Sequence, residues 1–236
     1  MSSLPPAPVF RRVRSSSEMT SKAAWPAAEA GHADPTQSRQ NLLSAVEHTR
    51  SLLDAMVRLK EDTSAAAELA KRLESVLELL AEHVQPVEVM VREDPPGRTA
   101  EGRENYRDRS PVSGILNPIA PPVQLTMGAD NSARTTTTLG LPYQGPPGRV
   151  HGGFVATLLD HIMGYAAGTL GIWVFTRSLT VEYDHAVPLF EPLDVRARIE
   201  EVDGRKVWVT GDIRVDGSVV ARARGLWLPP RAAEPG

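Results

Sequence analysis

Apolar and polar residues alternate through much of the C-terminal half of the chain. Leu193, Val195, Ala197 and Ile199 fall on one face, with Asp194, Arg196, Arg198 and Glu200 on the other, which is the signature of a half-buried strand. Val207, Val209, Gly211, Ile213 and Val215 repeat the pattern, and Val219, Ala221, Ala223, Gly225 and Trp227 alternate with Val220, Arg222, Arg224, Leu226 and Leu228. Asp203-Gly204 and Asp216-Gly217 punctuate these runs with the pairs that tight hairpins prefer, so an antiparallel meander is predicted. Upstream, Trp173 to Asp184 predicts a strand with Leu179, Val181 and Tyr183 on one face, and the threonines between Arg134 and Leu139 are β-prone. The strong helical window of this half, Gly153 to Gly168, lies between those two strands. The pattern predicts an α+β domain over 120–230, with one central helix against an antiparallel sheet of about five or six strands.

The N-terminal half has a different period. From Thr36 to Gln85 there is neither Gly nor Pro, and apolar residues recur with helical spacing at Leu42, Leu43, Val46, Leu53, Met56 and Val57, then at Leu69, Leu73, Val76, Leu77, Leu80 and Val84. Glu61, Asp62, Thr63 and Ser64 interrupt the stripe with N-cap side chains, predicting a helical hairpin over 37–85, although one long rod satisfies the same spacing. Those helices are expected to pack on each other or on a neighbouring subunit. Residues 1–36, rich in Ser, Ala and Pro, have too few large apolar groups to offset their ordering entropy and are expected to form a disordered tail. Pro86, Pro95, Pro96, Pro111 and Pro118 mark 86–119 as a linker, or as an extended segment lying on the next domain.

Composition narrows the chemistry. The 236 residues include no Cys, which excludes a thiolate nucleophile, a Cys-ligated metal and a disulfide scaffold. A formal net charge of -3 lacks the positive excess that drives binding to a phosphate backbone, so no nucleic-acid partner is expected. The best candidate for a membrane span, the uncharged run Ile162 to Thr176, is shorter than the ~20 residues a span requires and is broken by Gly164, Gly168 and Gly171. Arg11, Arg12 and Arg14 with nearby serines suit a transit peptide, but Pro5, Pro6 and Pro8 do not, and a cytoplasmic protein is expected.

One segment concentrates candidate chemistry: Tyr143-Gln-Gly-Pro-Pro-Gly-Arg-Val-His151-Gly152-Gly153-Phe-Val-Ala-Thr-Leu-Leu-Asp160. Gly152-Gly153 lets another group approach the backbone where helical N–H donors are still unpaired, and the helix dipole adds to the attraction for an anionic oxygen. Asp160 stands within an otherwise apolar helix, where a carboxylate is costly unless it has partners or a function. Small residues share its face (Gly153, Ala156, Thr157, Gly164, Ala167), while Val155, Leu158, Leu159 and Ile162 point toward the sheet. Spacing alone is equally compatible with Asp160 ordering a helix contact through Thr157.

The stretches GPPGRVHGGFVATLLD, TRSLTVEY, DGRKVWV and GSVVARARGLW together resemble the hotdog-fold acyl-CoA thioesterases, in the branch of phenylacetate-pathway-type and mammalian thioesterase-superfamily enzymes. The resemblance covers about residues 120–229. It implies a hotdog fold, hydrolysis of an acyl-CoA thioester with CoA as substrate, no cofactor or metal, and a homodimer or dimer of dimers. Position by position, it implies Asp160 as general base or nucleophile, the N–H of Gly152 or Gly153 as oxyanion donor, His151 shaping that corner, and Thr176 holding the attacking water, with Ser178 as the fallback. Arg149, Arg177, Arg205 and Lys206 are candidates for the CoA phosphates. His161 departs from the acidic residue common in the family, and Ala186 from a proline. The same fold is also compatible with an acyl-CoA-binding or sensing module without turnover; a hydratase would require a paired Asp and His that the sequence does not show.

Overall fold

The computed structural model describes residues 35–61, 63–90 and 107–230; the expected tail therefore lies outside the described residues except for its last two positions, as do linker residues 91–106. In chain order the elements are α1 (Pro35–Met56), α2 (Ala65–Ala81), α3 (Val87–Met90), β1 (Thr126–Met127), β2 (Ser132–Thr138), a 3-10 turn (Leu141–Tyr143), α4 (Gly152–Gly168), β3 (Phe175–Tyr183), β4 (Pro192–Asp203), β5 (Lys206–Val215) and β6 (Ser218–Leu228). The strands form one six-stranded antiparallel sheet in the order β1-β2-β4-β5-β6-β3. Its inner face wraps α4, giving the α+β hotdog arrangement.

The apolar period of α4 explains its place. Val155, Leu158, Leu159, Ile162, Met163, Ala166 and Ala167 are buried and meet Leu193, Val195, Val207, Val209, Ile213 and Trp227 from the sheet. The helix can come this close to β5 because Gly211 has no side chain: a Cβ there would sit 2.9 Å from Met163 Cγ. The opposite sheet face is charged, with Arg134 and Arg196 on Asp194, Arg222 on Asp184 and Arg224 on Glu200.

The turns and the strand register depart in places from the expected pattern. The β4–β5 loop centres on Gly204-Arg205, with Asp203 already paired to Lys206, whereas Asp216-Gly217 forms the β5–β6 turn with both residues at positive φ. A bulge opposite Ile213 and Arg214 turns Val220 inward beside Ala221, so Val219 leaves the inner face that alternation assigns to it.

The N-terminal segment breaks at 57–64 into two helices, and the Thr63 hydroxyl accepts the Ala65 N–H at the start of α2. From α1, Arg50 donates to the carbonyls of Gly114 and Asn117, and Arg39 pairs with Asp108. No residue of α2 is buried. Residues 107–125 form a strap on the domain in which Ser110, Val112, Ala120 and Val123 are buried. Among the described residues no helix is long and apolar enough to cross a membrane.

Candidate active site

The loop before α4 is tied down from both sides, the His151 N–H donating to the Tyr143 carbonyl and the Val150 N–H to that of Val187. His151 is the N-cap, with extended backbone angles (φ -60°, ψ 131°). Its Nδ1 accepts the Gly153 N–H at 3.0 Å, and its carbonyl accepts the N–H groups of Phe154 and Val155. Of the donors proposed for an oxyanion, Gly153 is thus used within the cap. The Gly152 N–H has no acceptor among the described residues.

Asp160 lies two turns further along, half-buried on the side of α4 facing β3. The Thr176 hydroxyl donates to its Oδ1 at 2.8 Å. This contact depends on an irregularity in β3. Leu179, Val181 and Tyr183 oppose Gly225, Ala223 and Ala221 on the inner face, and strict alternation would give Thr176 the outward face of Ser178 and Thr180. A bulge between Thr176 and Ser178 shifts the phase by one residue: Thr176 pairs with the inward Trp227 and Ser178 with Leu226. Thr176 and Asp160 are therefore brought together, and Ser178 is directed away from them. The second carboxylate oxygen of Asp160 has no hydrogen-bond partner among the described residues.

The site residues form two clusters on one helix, His151-Gly152-Gly153 at its start and Asp160-Thr176 in its middle. Gly152 and Asp160 are eight positions apart, about 12 Å along the axis. Of the candidate phosphate-binding cations, Arg205 donates to the Pro229 carbonyl and Lys206 pairs with Asp203, while Arg149 and Arg177 have no ion pair among the described residues. No group of His, Asp and Glu side chains among the described residues could hold a metal ion.

Two participants were not read from the sequence. Tyr183, from the far end of β3, donates its hydroxyl to the Gly152 carbonyl at 2.9 Å. Its period marked it as inward-facing, but nothing in the pattern pointed to the helix start. His161 places Nε2 2.7 Å from Ser113 Oγ of the strap and leans on the Tyr165 ring; burial depresses its pKa to about 4, so it is neutral near pH 7.

Residues 147–221 match the sequence profile of the thioesterase superfamily, a span that contains both clusters. A thioesterase-superfamily protein of known crystal structure is 37% identical, over 79% of this chain and 90% of that one, with a TM-score of 0.70. Among curated proteins, acyl-coenzyme A thioesterase THEM4 of Xenopus laevis is 40% identical over 74 residues, 31% of this chain and 33% of that protein. The same enzyme of Rattus norvegicus is 39% identical over 75 residues, 32% of each chain. The matched region thus spans about a third of these curated relatives. Both the profile match and the likeness to the crystal structure along most of its length lead to one assignment: this chain belongs to the thioesterase superfamily.

Proposed function

We propose that the protein is an acyl-CoA thioesterase, releasing CoA and a carboxylic acid, with Asp160 as general base. The observation that carries this reading is the Thr176–Asp160 hydrogen bond, which orients one carboxylate oxygen and leaves the other open to a water molecule. In this mechanism the water attacks the thioester carbonyl carbon while its proton passes to Asp160 Oδ2. The carbonyl oxygen becomes an oxyanion at the Gly152 N–H; one fixed donor in a dry site lowers such a barrier by about 3 kcal/mol. The C–S bond then breaks, and the proton on Asp160 goes to the departing sulfur. The names of the curated relatives favour acyl-CoA as the substrate.

The working unit is a homodimer. One carbonyl group cannot reach both clusters of a single helix, about 12 Å apart, so the oxyanion donor of one subunit serves the Asp160 of the other across a two-fold axis. The exposed apolar side chains Ile172, Trp173, Phe175 and Tyr183 lie along the edge strand β3 and its approach, and they favour this edge as the contact. CoA release from a panel of short, long and aromatic acyl-CoAs tests the activity. Asp160→Asn keeps the side chain's size and should lower turnover at least ~100-fold with the fold intact. Retention of most activity would remove Asp160 from the mechanism, and binding without turnover by the wild type would favour the sensing module.

A further inference from the structure

The peptide between Gly152 and Gly153 is held at both ends. Its N–H donates to His151 Nδ1 at 3.0 Å, and its C=O accepts the Tyr183 hydroxyl at 2.9 Å. Neither glycine has a side chain to restrict its backbone, and the next peptide N–H groups, of Phe154 and Val155, both return to the His151 carbonyl. The Tyr183 ring also lies against Gly152, 3.6 Å from where a Cβ would stand. The Gly152 N–H belongs to the preceding planar peptide, whose carbonyl is the His151 oxygen that accepts the N–H groups of Phe154 and Val155; because the two peptides meet at the Gly152 Cα, its orientation also depends on how firmly the Gly152–Gly153 peptide is gripped. His151 grips it from within the loop, and Tyr183 from a separate strand.

We infer that Tyr183 is a positioning residue for the oxyanion donor, acting through its hydrogen bond to the Gly152 carbonyl. The inference rests on the hydrolytic reading above. It also gives β3 a double role, because the same strand carries Thr176 to Asp160 at its other end. A shift of β3 would disturb both halves of the chemistry together.

Tyr183→Phe retains the ring against Gly152 and removes only the hydroxyl. In the full-length protein kcat should fall about tenfold with KM within about twofold, since what is lost is alignment in the transition state. Combined with Gly152→Pro, which removes the donor N–H at a helix position where proline fits, Tyr183→Phe should cause no further loss. Wild-type kcat in Tyr183→Phe, or an equal loss in both backgrounds, would overturn the inference while leaving an Asp160-dependent hydrolase in place. Absence of hydrolysis by the wild type would count against the hydrolytic reading instead. Amide hydrogen exchange then decides the positioning role without turnover. Exchange at Gly153, whose N–H is bonded to His151 Nδ1, should quicken at least about tenfold in Tyr183→Phe, with the amides of 159–166 unchanged; unchanged exchange at Gly153 would overturn it.

Discussion

A carboxylate held by one hydroxyl is sensitive to the loss of that hydroxyl. Thr176→Ala should lower kcat about tenfold or more, with a smaller effect on KM, and Thr176→Ser should recover much of the loss, because only the donated hydrogen bond matters in this account. Steady-state kinetics of the two variants checks this. His161 makes a different prediction, on stability. Its folded-state pKa, about 4, lies below the ordinary 6.5, so the unfolded chain takes up the proton first as pH falls. The stabilisation is complete above about pH 6.5 and is lost as the pH drops toward 4. Urea unfolding at pH 7 and pH 4.5 should show the wild type losing about 2 kcal/mol more than His161→Gln, which can still hydrogen-bond to Ser113 but does not titrate. Equal losses would mean that the imidazole is not held neutral in the fold.

Among the elements, the bulge in β3 and the strap over α4 have the largest consequences. Deleting Arg177, the extra residue, would leave Ser178 opposite Leu226 and Thr176 opposite Trp227, so a folded variant should keep the Thr176–Asp160 contact and its kcat within about threefold; the kinetic loss of Thr176→Ala would show that the bulge does more than set the phase. The strap changes where the chain can be cut. A truncation at Pro111 falls inside it, because Ser110 is buried and its hydroxyl accepts the Val112 N–H. A chain starting at Arg107 should retain hydrolysis within about threefold, the helices α1 and α2 contributing no group to either cluster. A chain starting at Gln124 gives up the buried Val112, Ala120 and Val123 with the Ser113–His161 contact, and should lose at least about 2 kcal/mol in denaturant titration.

For the whole molecule, a site shared between subunits is testable by complementation. Asp160→Asn and Gly152→Pro each disable both sites of their own homodimer. A mixed dimer has one site with both defects and one with neither, so each mixed dimer should have up to half the normal activity, and free exchange of equal amounts should return about a quarter of the total. Failure to recover, with exchange demonstrated by a tagged subunit, would place each site within a single chain or the oxyanion donor elsewhere.

Alternation with a period of two along β4, β5 and β6, and the apolar stripe of α4, determined the sheet, the helix and the order in which they occur, because those patterns reflect which faces leave water. The glycine pair ahead of a helix and the lone Asp160 marked both clusters for the same local reason. Neither pattern contains a phase slip: Val220 and Thr176 each face opposite to strict alternation, since a bulge is decided by pairing with the neighbouring strand rather than by the residues of one strand. The choice between Gly152 and Gly153 as free donor likewise awaited the direction of the His151 ring. Tyr183 and Ser113 act on residues 31 and 48 positions away, through contacts that exist only once β3 and the strap have closed over α4. Sequence alone determined which surfaces are buried and which residue types make up the candidate site; which atoms meet was decided by the packing of elements distant in the chain, where a single-residue slip or ring rotation redirects a hydrogen bond.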